Sequence, residues 1–223
     1  MERQNLKKSV SGEIQLECAT VLDKLLTGES SLRLRIYCPN LGLALLVKRV
    51  SSKKTTVLPD IFDDISLTAR VPSMGDVLFP NEYETLTSRM SLSKDYGAFL
   101  HASEICALVI KNGAHIENAN RLHARIRGAL DSMANGALPE TVHLKFLYLL
   151  VRDEGYPVHE DFLQKFSGSQ KAAFCEIIST PPPKRKDAPG GDSEPRLREV
   201  LEDSATFLEA LSNWTLRCTD IIL

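Results

Sequence analysis

The stretch Leu138–Pro157, LPETVHLKFLYLLVRDEGYP, carries a helix start, an apolar face and a helix stop within a few turns of chain. Pro139 and Glu140 suit a first turn, where a missing N–H is no loss and a carboxylate meets the positive end of the helix dipole. Val142, Phe146, Leu149 and Leu150 share one face at helical spacing, and Leu144, Leu147 and Val151 widen it well beyond a narrow stripe. A helix apolar over so wide an arc needs neighbours on several sides. Gly155 tolerates positive φ just past the end, and Pro157 prevents the helix from resuming. This stretch is therefore expected to be the buried helix of a helical core.

The flanking sequence supplies its neighbours. Ser93 is expected to cap a helix running toward Lys111, with Phe99, Ala102, Cys106, Val109 and Ile110 inward and Asn112-Gly113 as its stop. Ile116–Asn135 reads as the next helix, with Ile116, Ala119, Leu122, Ile126, Leu130 and Met133 on one face and Arg121 and Arg125 on its flanks. Asp161–Phe166 and Gln170–Ile178 read as shorter helices. The run TPPPKRKDAPGGDSE at 180–194 breaks all periodicity and reads as a mobile linker. A last helix is expected from about Pro195 to Leu216, and the apolar chain end is expected to be buried.

Before Ser91 the period is that of strands. Leu32, Leu34 and Ile36 alternate with Arg33, Arg35 and Tyr37, and Pro39-Asn40-Leu41-Gly42 supplies turn chemistry before the run Leu43–Val50. With the alternation around Ile14, Leu16 and Cys18, and with Ile61–Val71 and Val77–Met90, about five strands result. A short antiparallel sheet of that size covers its apolar face by closing or by packing on helices, which favours a small barrel. The expected class is α+β, with a β-barrel over 1–90 and an all-helical domain over 91–223.

Composition sets the outer limits. A chain of 223 residues with 43% hydrophobic content buries a substantial core in one or two small domains. Neither the start, MERQNLKKSV, nor any later stretch has an apolar run long enough for a bilayer, so a soluble cytoplasmic protein without membrane contact is expected. The five cysteines are odd in number and widely spaced, as reduced core residues would be. No Cys/His spacing marks a zinc site and the five histidines stand apart, so neither metal nor cofactor is expected. No Walker A loop, GxGxxG, GxSxG or HExxH occurs. The carboxylate pairs Asp63-Asp64 and Asp153-Glu154 lack the ligands a metal nuclease needs, and His159-Glu160-Asp161 reads as a helix start, so no enzyme is expected.

Charge is uneven along the chain although the formal net charge is only −2. Residues 1–58 carry ten Lys and Arg against five acids, and residues 59–90 carry six acids against two arginines. Arg33, Arg35, Lys48, Arg49, Lys53 and Lys54 therefore form a candidate phosphate-tracking group on adjacent strands and loops, with Tyr37 placed to stack a base. A solvated sheet face is the competing explanation, because an outward face also requires charged residues alternating with apolar ones.

The Pro139-Glu140 start, the Phe146-Leu147-Tyr148-Leu149-Leu150 core and the Gly155-Tyr156 stop resemble the central helix of the bacterial RecO family of recombination mediators. Gly42, the segment Pro59–Phe62 and the closing stretch Arg196–Leu223 agree with that resemblance. It implies an N-terminal OB-like barrel followed by helices. It also implies single-stranded DNA binding, strand annealing and help in placing recombinase on strands coated by single-stranded-DNA-binding protein, with a RecR-like partner. Many members carry a cysteine zinc motif after the Gly-Tyr stop. This chain has only Cys175 there, and no metal is expected on that ground too. The resemblance further implies capture of the acidic, apolar C-terminal tail of single-stranded-DNA-binding protein by the helical part. Leu122, Phe146 and Leu149 would be its apolar walls, and Arg121, Arg125, Lys145 and Arg152 its cations. The alternative is a barrel-plus-helix module used only for protein contacts.

Overall fold

Alternation in the first part of the chain becomes five strands: β1 (Gly12–Thr27), β2 (Ser31–Cys38), β3 (Gly42–Arg49), β4 (Asp64–Val71) and β5 (Val77–Thr87). The computed structural model describes residues 12–27, 31–49, 58–72, 77–184 and 194–223. The chain divides into two compact units, with the boundary between Ser88 and Arg89.

In the first unit β1 pairs antiparallel with β2 and β4, β2 with β3, and β4 with β5. A short parallel pairing of β3 with β5 completes the cyclic order β1-β2-β3-β5-β4, closing the sheet on itself. Leu16, Val21, Leu32, Leu34, Ile36, Leu46, Ile65 and Leu67 fill the interior, because alternation sends every second side chain inward. Two register shifts in β1, at Leu16/Ala19 and Val21/Asp23, bend this strand so that it serves partners on both sides. Beside the second, the N–H of Val21 donates to the Asp63 carbonyl at 2.9 Å and the N–H of Phe62 to the Val21 carbonyl at 2.8 Å. Residues 61–63 form this turn, so β4 starts later than the alternation indicated. Phe62 holds φ at 72° with its ring buried, an uncommon conformation for a bulky residue.

The second unit contains α1 (Tyr96–Asn112), α2 (Ala119–Ala134), α3 (Pro139–Asp153), α4 (Gly168–Ser179) and α5 (Glu194–Cys218). Asp95, not Ser93, caps α1: its carboxylate accepts from the Ala98 N–H at 3.0 Å, while Ser93 lies in a 3-10 turn spanning Met90–Lys94. Phe99 is partly exposed instead of facing inward, although Ala102, Cys106 and Val109 are buried. Asn118 caps α2 through the Arg121 N–H, which starts that helix after Ile116. Where one short helix was expected around Asp161–Phe166, a π turn (Val158–Phe162) runs into a 3-10 turn (Leu163–Lys165). A capping box between Ser167 and Gln170 starts α4.

Helix α3 buries Val142, Leu144, Phe146, Leu147, Leu150 and Val151 and packs against α1, α2 and α5. The linker expectation is corrected at its start. The Leu138 N–H donates to the Pro183 carbonyl at 2.9 Å and Ala137 pairs with Lys184, so residues 181–184 lie along the approach to α3. Residues 185–193 lie outside the described residues. The cysteine expectation is corrected as well: all five are free thiols, but only Cys38 and Cys106 are buried, and Cys175 and Cys218 are exposed. At the chain end Ile221 is buried and Ile222 exposed, while the Asn112 side chain bonds both backbone groups of Ile222. No helix among the described residues is long and apolar enough to cross a membrane.

The stop of α3 has the full Schellman pattern. Gly155, at φ 82°, donates to the Arg152 carbonyl at 3.0 Å, and the Tyr156 N–H donates to the Val151 carbonyl at 3.1 Å. A Cβ on Gly155 meets no atom within 4 Å, so the only penalty of a side chain there is the left-handed backbone. Gly155→Ala should lower unfolding free energy by about 1–2 kcal/mol, measured by urea denaturation; an unchanged midpoint would show that this stop does not depend on glycine.

Candidate nucleic-acid interface and charged clusters

Register decides which basic residues of the barrel share a face. Arg33 sits opposite Val47, Arg35 opposite Leu45, and Arg49 opposite Ser31, so Arg33, Arg35 and Arg49 project from the outward side of β2 and β3. All three are exposed. Arg35 also lies 3.7 Å from Asp23 on β1, a solvent-screened pair that leaves it largely available to a phosphate. Leu25, opposite Arg33 on β1, is 54% exposed and adds an apolar contact to the same face.

Two members of the expected group are corrected. Tyr37 shares the outward side with Arg33 and Arg35 but is completely buried, so its ring is not open to stack a base. Strand alternation sets the side from which a residue projects, not what covers it. Lys48 sits opposite Leu32 and therefore projects to the interior side, away from the arginines. Its ammonium lies 4.2 Å from the centroid of the Tyr83 ring, a cation–π contact, and burial lowers its pKa. Lys53 and Lys54 lie outside the described residues.

In the helical unit three of the four cations expected for the tail, Arg121, Arg125 and Arg152, lie together, around a carboxylate to which sequence reading assigns no role. Arg121 and Arg125 on α2 and Arg152 on α3 converge on Asp153 at 3.8, 3.3 and 3.1 Å, and the Asp153 side chain is only 12% exposed. The cleft beside them, about 220 Å³, has Leu122 and Leu150 as apolar walls but also Glu117 and Glu154. Burial, then the charges of Glu117 and Asp153, push the Glu154 carboxyl up from its ordinary pKa. The cleft is a balanced ion cluster and does not offer the spare positive charge an acidic tail requires. Phe146 is buried in the core, and Leu149 is not among the residues lining the cleft. Lys145 is engaged elsewhere, donating to the Thr180 carbonyl, and burial lowers its pKa.

A second groove, of about 210 Å³, was not legible in the sequence because its parts come from distant segments. Phe162 of the π turn and Phe166, just past the 3-10 turn, line it with Trp214 of α5, and Lys165 and Arg217 stand beside them. The rings of Phe162 and Trp214 are 5.9 Å apart, and the buried Trp214 Nε1 has no hydrogen-bond acceptor among the described residues. Among the described residues no acidic side chain lines this groove.

The reading of the histidines as standing apart is also corrected. Helix α1 carries His101 and Glu104, and α3 carries Glu140 and His143, each pair one turn apart on its helix. Packing of α1 on α3 brings His101 Nδ1 within 3.0 Å of Glu104 Oε2 and 3.1 Å of His143 Nδ1. Glu104 Oε2 is 3.3 Å from His143 Nδ1, and His101 Nε2 is 3.8 Å from Glu140. Burial opposes charging of His101, but Glu140 and Glu104 outweigh it and raise its pKa, whereas burial lowers that of His143. Hydrogen bonding to His143 lowers the pKa of Glu104 against the burial penalty. The signal was two i, i+3 His/Glu pairs in separate helices, which becomes readable only when the packing of those helices is known.

No protein-family model and no curated protein sequence matches this chain.

The raised pKa of Glu154 has a definite sign. A carboxyl whose pKa is higher in the folded state favours folding when protonated and opposes it when charged. Glu154→Gln should therefore raise the melting temperature at pH 7, and the gain should shrink as pH falls through the folded pKa and vanish below the ordinary glutamate value. Thermal unfolding across this range checks it; a gain independent of pH would show that the carboxyl charge is not responsible.

Proposed function

We propose that the chain is a RecO-like mediator of DNA repair and recombination that acts in the cytoplasm without covalent chemistry. On this reading it binds single-stranded DNA on an OB-like barrel and uses its helical unit to engage protein partners. The observation that carries the reading is the exposed Arg33, Arg35 and Arg49 side on β2 and β3. In five-stranded Greek-key barrels of the OB type, the β2–β3 face receives oligonucleotides, and the cyclic strand order with a parallel β3–β5 closure supports that comparison. Three guanidiniums spaced along two adjacent strands suit successive phosphates of an extended strand. They carry no base readout, so binding is expected to be indifferent to sequence. Annealing and recombinase loading with a RecR-like partner come with the family reading.

For the tail of single-stranded-DNA-binding protein, the aromatic groove is a better receptor than the Asp153 cluster. Phe166, half-buried over the enclosed rings of Phe162 and Trp214, offers an apolar wall, and Lys165 and Arg217 are cations with no carboxylate in the lining among the described residues. Such an arrangement recognises a peptide that is both apolar and acidic, since apolar burial supplies affinity and the cations supply orientation.

Replacing Arg33, Arg35 and Arg49 together by Gln should weaken binding to a fluorescent oligo-dT strand and reduce the slope of log K against log salt by about 2, as about 0.7 is lost per phosphate contact. Lys48→Gln, on the interior side, should leave that slope unchanged. Equal slopes for the triple variant and the wild type would leave the protein-contact module as the function. A labelled acidic, apolar peptide should lose affinity at least tenfold on Lys165→Glu/Arg217→Glu and keep it when Arg121, Arg125 and Arg152 become Ala; the reverse pattern would return the tail to the Asp153 cleft.

A further inference from the structure

The geometry points to a divalent transition-metal site in the helical unit, with His101 Nδ1, His143 Nδ1 and Glu104 Oε2 as three ligands of an ion such as Zn²⁺. The three atoms form a closed triangle with edges of 3.0, 3.1 and 3.3 Å. Hydrogen bonds alone serve such a triangle poorly. The carboxylate oxygen only accepts, and each neutral imidazole has one N–H to place on either ring nitrogen. If both Nδ1 atoms are protonated, two N–H groups face each other along the His–His edge. If one is protonated, a lone pair of the other histidine faces the lone pairs of Glu104. Every arrangement leaves one edge repulsive. A cation at the centre turns all three lone pairs toward one acceptor and removes the conflict.

The size of the triangle fits. Zinc–nitrogen and zinc–carboxylate bonds of about 2.0–2.1 Å give a tetrahedron with edges of about 3.3–3.4 Å, so the side chains need shift by only a few tenths of an ångström. Ligand chemistry fits as well, because two imidazoles and a carboxylate suit a borderline first-row ion better than Ca²⁺ or Mg²⁺. A metal-binding histidine commonly donates its other ring N–H to a carboxylate, and His101 Nε2 lies 3.8 Å from Glu140 in the position to do so. His101 and His143 are largely enclosed, while the Glu104 side chain is 46% exposed and gives the ion a way in. Three protein ligands leave a fourth tetrahedral position for water. The ion would tie α1 to α3, the two helices that supply every group in the cluster.

The five free thiols are the competing zinc ligands, so the test must separate nitrogen and oxygen ligation from sulfur. Full-length protein stripped with chelator is titrated with Co²⁺ and, by calorimetry, with Zn²⁺. One equivalent should bind, with visible d–d absorption and no thiolate charge-transfer band in the near ultraviolet. Glu104→Gln and His101→Gln should each weaken Zn²⁺ binding by at least tenfold, and Zn²⁺ should raise the melting temperature of the wild type but not of these variants. Glu104 is half-exposed, so its variant keeps the core intact even where a change at buried His143 does not; circular dichroism verifies the fold. Absence of stoichiometric uptake, a thiolate band, or undiminished affinity in folded Glu104→Gln would each overturn the assignment.

Discussion

Burial of α3 on several sides at once is the constraint on which the helical unit depends. Val142, Leu144, Phe146, Leu147, Leu150 and Val151 leave the helix no broad solvated face, so α1, α2 and α5 have to assemble around it. Each fully buried aliphatic or aromatic side chain contributes roughly 1.5–3 kcal/mol of transfer free energy. Because the helix is enclosed, its polar residues are forced into defined company. Thr141 hydrogen-bonds Ser204 of α5 at 2.9 Å, His143 meets His101 of α1, Tyr148 meets His159 at 3.2 Å, and Asp153 gathers three arginines. The clusters around α3 are thus consequences of a single packing requirement.

That requirement could be read directly, since the start, the breadth of the apolar face and the Gly155 stop are all local signals. The same holds for alternation in β2, where Leu32, Leu34 and Ile36 fill the interior and Arg33 and Arg35 do not. What escaped the sequence depends on partners far along the chain. Tyr37 obeys the alternation and is buried nonetheless. Lys48 looked equivalent to Arg49, yet neighbours in a strand project to opposite sides, and one ends over the Tyr83 ring while the other reaches water. Asp153 looked like half of an idle carboxylate pair because two of the three arginines that use it, Arg121 and Arg125, come from another helix. Asp95 took the cap from Ser93 because a 3-10 turn intervened, a difference of backbone path that composition alone does not carry.

The two arginine groups show why counting charges is a poor guide to binding. In the barrel, three guanidiniums spread along two strands with, among the described residues, one weak carboxylate partner. In the helical unit, three guanidiniums converge on one shielded carboxylate and satisfy each other's field through it. The first arrangement attracts a polyanion from a distance; the second stabilises a helix junction. Screening by salt sharpens the contrast, because exposed charges depend on ionic strength and enclosed ones much less.

Closure of the sheet has a further consequence for how the chain acquires its structure. Gly12 pairs with Val71 and Leu45 with Val77, so the first strand remains without its β4 neighbour until a long stretch of chain has been made. Helices α1 to α3 form contacts between close sequence neighbours and have no such delay. High contact order slows folding, and an unpaired strand edge is the usual route to aggregation while it persists. During synthesis the barrel is therefore the vulnerable unit, exposed as an incomplete sheet until β5 emerges. Expression yield should then be governed by the kinetics of the first 88 residues more than by the stability of the helical core.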